Sequence, residues 1–350
     1  MTAPPVGVLE ELDGGQIGPR PATPRALAWS RAMAAATRLA AGRPRLWAFA
    51  LLAFLARGGL VALVIPMLVL PSFVGLSNTV GPTSVTAAGP TPRLVALVAG
   101  WLGITLASIV AGTLVAAAAE VALHRAMVAP DASGATGRSL AFPSRWVATA
   151  VASSRHEAEI LPPRSAVRRV AVVRLVLLAP VLLALAAAVP GWVQVAYREL
   201  LLPTNLALPL PLRVIAGAPL PGFVLVAAWL ITEAVGGLAA RRITLEEWSV
   251  AGALGAAVGD VARAPASILL TLTLAIAGTI SVLVPAVVVV GAAWERARVA
   301  LVDVTDGASV IIATLTLVAA WAACLGAAAV TAAWRSALWT AELARRSRSG

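Results

Sequence analysis

The sequence predicts an all-α integral membrane protein with six transmembrane helices. They form three tandem, parallel modules, each a cytoplasmic amphipathic helix followed by a transmembrane hairpin. Three observations carry that expectation. Hydrophobic residues make up 60% of the 350-residue chain and charged residues 12%, with a mean hydropathy of +0.90, against about 45–50% and about 25% in soluble domains. Six stretches reach the roughly 20 apolar residues that a helix needs to cross a hydrocarbon core of about 30 Å. One pattern of tryptophan and proline recurs three times along the chain.

The elements follow in order. Residues 1–24, MTAPPVGVLEELDGGQIGPRPATP, are rich in Pro and Gly and lack the basic segment and apolar run of a cleaved signal peptide; they read as a disordered cytoplasmic tail. Module 1 covers 25–128 with spans at 47–71 and 96–122, and module 2 covers 129–242 with spans at 170–193 and 220–240. Module 3 covers 243–342 with spans at 267–292 and 310–333, and a basic tail covers 343–350. All 27 basic residues are arginine, in a chain crowded with Ala, Val, Gly and Pro, which points to a GC-rich bacterial source. Twenty of these arginines fall in the N-terminal tail, the loops after spans two and four, and the C-terminus; the other three loops hold five. The positive-inside rule then places both termini in the cytoplasm, in a bacterial plasma membrane. The net charge of +11 is expected to meet anionic lipid rather than nucleic acid.

The repeat is the strongest organising signal. Each copy opens on an amphipathic stretch with a tryptophan, Trp29, Trp146 or Trp248. It continues into a span with a proline, Pro66, Pro190 or Pro285, and returns through a span with Trp101, Trp229 or Trp321. The first separations are 37, 44 and 37 residues and the second 35, 39 and 36. An even number of crossings per copy makes the modules parallel rather than inverted. Trp29, Trp146 and Trp248 are expected to anchor the amphipathic stretches in the interface. Trp47, Trp192 and Trp294 fall at span ends, where an indole keeps its N–H wet. This layout resembles that of uncharacterised six-span bacterial membrane proteins related to the membrane domain found beside glycerophosphodiester phosphodiesterases. The likeness covers residues 25–342 in layout alone. In that family a catalytic domain follows the membrane domain in some members; here the chain ends at LARRSRSG, so the resemblance implies no hydrolase activity.

Catalytic and metal chemistry find little support in the residues. Cys324 is the one cysteine, so no thiolate cluster forms. His156, with Glu157 and Glu159, lacks the second histidine of H-E-x-x-H, because position 160 is Ile160. Asp303 and Asp306 precede Gly307 without the twelve-residue calcium pattern or its closing glutamate, and an Asp-Gly turn accounts for them. No phosphate-binding loop with its lysine is present. No catalytic residue, metal site or cofactor is expected.

Charges at membrane depth carry more weight, since each costs several kcal/mol (about 3 on insertion scales) unless paired or hydrated. Arg174 and Glu120 lie close enough to predicted span ends to snorkel or to reach the interface. Arg57, within LLAFLARGGLVALVIPMLVLP, and Glu233, within VAAWLITEAVGGLAARR, fall at matching depths just cytoplasmic of centre. A buried ion pair between Arg57 and Glu233 is therefore expected, joining modules 1 and 2. Gly58, Gly59, Gly236 and Gly237 beside them would permit close helix approach. The leading function is a non-enzymatic scaffold or accessory subunit acting with a cytoplasmic or membrane partner. The alternative is a transporter or permease component for a small or lipid-like solute, with a polar site near Arg57 and Glu233. A polar cavity at that depth would favour transport, and a dry core the scaffold.

Overall fold

The computed structural model describes residues 29–64, 85–86, 89–129, 146–148, 163–205, 207–208, 210–302 and 306–347. The N-terminal tail, Pro66 with the end of the first span, His156, Asp303 and the Trp29 side chain lie outside these residues, as does most of the amphipathic stretch around Trp146.

The described residues of the spans are helical. In order come α1 (Trp29–Gly42), α2 (Pro44–Phe54), a π-helical turn (Leu55–Gly59), α3 (Leu60–Val64), α4 (Pro92–Val128), α5 (Arg164–Leu201), α6 (Leu210–Gly217), α7 (Pro219–Glu246), α8 (Val250–Arg263), α9 (Pro265–Val302) and α10 (Gly307–Arg346). A minimal antiparallel ladder, β1 (Val85–Thr86) with β2 (Gly89–Pro90), precedes α4. Helices α4, α5, α7, α9 and α10 are long and apolar enough to cross a membrane, making a multi-pass membrane protein. The first predicted span is described as far as Val64 and forms a sixth crossing if the bent pair at α1 and α2 counts as one.

Local chemistry explains the breaks. Between α1 and α2 the chain bends by 98°. Pro44 forces the residue before it out of the helical region, and Arg43 accordingly adopts φ −131°, ψ 83°. Two bonds hold the bend: the Trp47 indole N–H donates to the Ala40 carbonyl at 2.6 Å, and Arg43 donates to the Ala126 carbonyl near the end of α4 at 2.8 Å. Trp47 therefore satisfies its N–H within the protein rather than in water, as Trp192 does on the Ala218 carbonyl at 3.4 Å. At the starts of α4 and α8, Thr91 and Ser249 accept from the backbone N–H groups of Leu94 and Gly252, both at 3.2 Å, as N-caps do. Pro180, Pro190 and Pro285 lie inside continuous helices.

Packing is concentrated at one end of the bundle, where α4, α7 and α10 finish and α5 and α9 begin. The main core joins Leu39, Leu46, Val121, Val170, Leu238 and Leu338 there. The other halves of the long helices expose apolar side chains such as Trp101, Leu183, Phe223 and Ile312, the surface that a bilayer covers. Consecutive long helices pair as α2 with α4, α5 with α7 and α9 with α10, while α10 also packs on α1 and α2 and α7 on α8. Polar ties close the packed end. Glu342 is fully buried and accepts from Arg345 at 2.9 Å, Arg346 at 2.6 Å and the Ser267 hydroxyl at 2.8 Å. Arg242 pairs with Asp260 at 2.6 Å and lies 5.0 Å from the Trp248 ring.

Two tryptophans expected as interfacial anchors therefore differ. Trp248 stays 40% exposed, with an arginine over its ring. Trp146 is 1% exposed and belongs to the main core, so it fills the bundle rather than facing an interface.

Candidate functional site

The π-helical turn is where the site begins. Gly58 takes φ +96°, a left-handed conformation inside an otherwise helical run, which glycine alone adopts without a side-chain penalty. A Cβ on Gly58 would meet nothing within 4 Å, so its role is backbone freedom rather than close packing. The widened turn sets Arg57 toward α4. The approach is close, because a Cβ on Gly112 of α4 would stand 2.7 Å from the Ala56 carbonyl oxygen.

Arg57 ion-pairs with Glu120 of α4. Arg174 of α5 reaches the same carboxylate with a fork of three contacts, Nε at 3.3 Å and Nη2 at 3.2 and 3.3 Å. Glu233 of α7 accepts from Arg335 of α10. The predicted partners Arg57 and Glu233 thus bond to other residues, and the direct pair between them does not form. The cause is azimuth: equal depth along two helices says nothing about which faces meet, and each group has an opposite charge nearer on a neighbouring helix. Both nevertheless line one cavity of about 400 Å³.

The cavity is partly open and is lined by α2 with its π turn, α4, α5, α7 and α10, with four arginines among its lining residues, Arg57, Arg174, Arg241 and Arg335. Its carboxylates are Glu120 and Glu233. Arg241 is 4% exposed and bonds to neutral acceptors: the Gly237 carbonyl at 2.7 Å, the Ser336 carbonyl and hydroxyl, both at 2.9 Å, and the Thr340 hydroxyl at 3.0 Å. Side-chain accessibilities of 28% for Arg57 and 26% for Arg335 mean that both face space large enough for water. Gly236 of α7 leaves room for the Arg174 guanidinium, since a Cβ there would approach Arg174 Nη1 to 2.5 Å and Leu177 Cδ1 to 3.1 Å. Two further wall residues have a polar atom without a hydrogen-bond partner: His124 at Nδ1 and Trp339 at its indole N–H.

The cavity is chemically graded. Arg241, His124 and Trp339 lie toward the packed end, and Glu120, Arg174 and Arg335 above them. Leu178, Val181 and Trp229 line the part furthest from that end. Such a space can hold an anionic group at one end and apolar matter at the other.

Sequence reasoning singled out Arg57 and Glu233 and missed the rest. Arg174 and Glu120 do not serve the helix ends. Helix α4 runs to Val128 and α5 starts at Arg164, so both charges sit more than two turns inside. Arg241 and Arg335, counted among the orientation-setting arginines, also lie inside the bundle. The available signal was spacing by four: Glu120 with His124, Gly237 with Arg241, and Arg335 with Trp339 each share a helix face. Among the described residues, no group of His, Cys, Asp and Glu is arranged to hold a metal ion. No family model, curated protein or solved structure matches the chain.

Proposed function

We propose that the protein is a transporter or permease component for a small or lipid-like solute, which occupies the chamber at Arg57 and Glu233. The observation that carries this reading is the chamber itself: about 400 Å³ lined by six charged side chains, among helices apolar enough to cross a membrane. A protein serving as a scaffold gains most from a dry, close-packed core. Desolvating several ions costs several kcal/mol each even after relaxation, on the order of what a whole domain retains. A charged chamber is therefore retained where it does something. The interrupted helix at Gly58 supports the same reading, since irregular backbone at membrane depth is tolerated where it lines a cavity.

The finer architecture belongs to this proposal. The six crossings form three parallel modules in a bacterial plasma membrane, all but α9 contributing to the chamber wall, with both termini in the cytoplasm and the arginine-rich end against anionic lipid. The packing of α1 on α10 and of α8 on α7 supports it, because these two amphipathic helices then rest on the returning span of the preceding module, module 3 for α1 and module 2 for α8.

Accessibility tests it. Cys324 is the single cysteine, so Cys324→Ser gives a clean background for Ala53→Cys and Ala332→Cys, both on the chamber wall. A membrane-impermeant maleimide should label both in proteoliposomes, with flux of the solute blocked afterwards. Cysteines that no aqueous reagent reaches from either side would overturn transport and restore the scaffold reading.

A further inference from the structure

Around Glu120 the charges do not balance. Arg57 and Arg174 both bond to that one carboxylate, and Arg241 bonds to neutral oxygens alone. Glu233 is already engaged by Arg335. Among the described residues of the chamber, the three guanidinium groups of Arg57, Arg174 and Arg241 therefore stand against the one carboxylate of Glu120, a local surplus of two positive charges. A cation would be repelled, a neutral solute would leave the surplus intact, and a monoanion would remove half of it. A dianion removes all of it.

Geometry narrows the class further. Guanidinium forks match phosphate oxygens better than any other side-chain cation does. The unpartnered Trp339 indole N–H is one more donor at the same end, and His124 Nδ1 is another when that nitrogen carries the proton. Leu178 and Val181 lie one and two turns beyond Arg174 on α5, away from the charges, and Trp229 lies one turn beyond Glu233 on α7. Glu120 is eight residues from the end of α4, roughly 12 Å at 1.5 Å per residue, so the charged group lies nearer the packed end than the middle of that helix.

We infer that the chamber binds an amphiphilic phosphate monoester, its dianionic head held by Arg57, Arg174 and Arg241 and its apolar part against Leu178, Val181 and Trp229. The inference rests on the chamber being a solute site and names the class of that solute.

The full-length protein in phosphatidylcholine nanodiscs provides the test, with dodecyl phosphate as probe. Its methyl ester (a monoanion), dodecyltrimethylammonium and inorganic phosphate are the comparisons. Dodecyl phosphate should bind at least about tenfold more tightly than each of the three at pH 8, the factor expected of one lost charge-assisted contact. Arg174→Gln and Arg241→Gln should each weaken it by about tenfold or more. Arg241→Lys should recover part of the loss, and Arg298→Gln, remote from the chamber, should change nothing. Size-exclusion profiles identify any variant that fails to fold, and the comparison among ligands on the unmodified protein stands without variants. Equal affinity for the methyl ester overturns the dianion, and equal affinity for inorganic phosphate overturns the amphiphile and makes a free phosphate the ligand. Dodecyl phosphate binding without flux would uphold this inference while removing transport. Flux through a chamber indifferent to dodecyl phosphate would do the reverse.

Discussion

At the scale of single residues, Glu120 is the most consequential side chain, because two arginines from different helices depend on it. Glu120→Gln leaves both guanidinium groups without a carboxylate in a largely desolvated place. Breaking a buried ion pair from one side costs about 3–5 kcal/mol, so a clear fall in the midpoint of thermal or denaturant unfolding is expected. Arg298→Gln, on an exposed i,i+3 pair with Glu295, should move that midpoint by less than about 1 kcal/mol. The Glu233 and Arg335 pair permits a cleaner experiment. Glu233→Arg and Arg335→Glu should each destabilise, and the double exchange should restore most of the loss, which a double-mutant cycle measures. Gly58 makes a third case. Its φ of +96° penalises any Cβ although space is open, so Gly58→Ala should cost about 1–2 kcal/mol and Gly58→Asn less, since asparagine tolerates the left-handed region. Equal costs for both would point to sterics instead.

At the scale of elements, hydropathy located the long helices well and their ends poorly. Five predicted spans fall on helices long and apolar enough to cross a membrane, yet α5 covers 164–201 where apolarity alone marks 170–193. The missing turns carry polar and charged residues, and the last of them continues as helix where the chain ties it down: Glu199 near the end of α5 accepts from Thr204 at 3.0 Å and pairs with Arg213 of α6 at 3.2 Å. The loop between spans three and four is thereby mostly helix, carried by α5, α6 and α7. The bend between α1 and α2 depends on Trp47 and Arg43. Trp47→Phe keeps the aromatic bulk and removes the bond to Ala40, so about 1 kcal/mol should be lost. Hydrogen exchange should then rise at the junction of α1 and α2 rather than across the bundle.

At the scale of the whole molecule, the packed end and the open apolar halves divide the labour. The core and the buried Glu342 network hold five long helices together at one end, and lipid is left to cover the remainder. A corollary concerns orientation: impermeant reagents should label cysteines placed in residues 1–24 and 343–350 from the same side of oriented vesicles, in the Cys324→Ser background. Labelling from opposite sides would break the alternation of arginine-rich and arginine-poor loops.

The sequence by itself determined residence in a membrane and the existence and approximate position of the long helices. Hydropathy is a sum along one dimension, and the chain carries it openly. Which charges meet was decided by the tertiary structure alone. An ion pair between helices depends on the azimuth of each side chain, the distance between axes and the turns added beyond the apolar stretch, and none of these is a local property. Arg57 and Glu233 therefore line one chamber without sharing a bond. Glu120 and Arg335 answered them because those residues stood on the nearer faces.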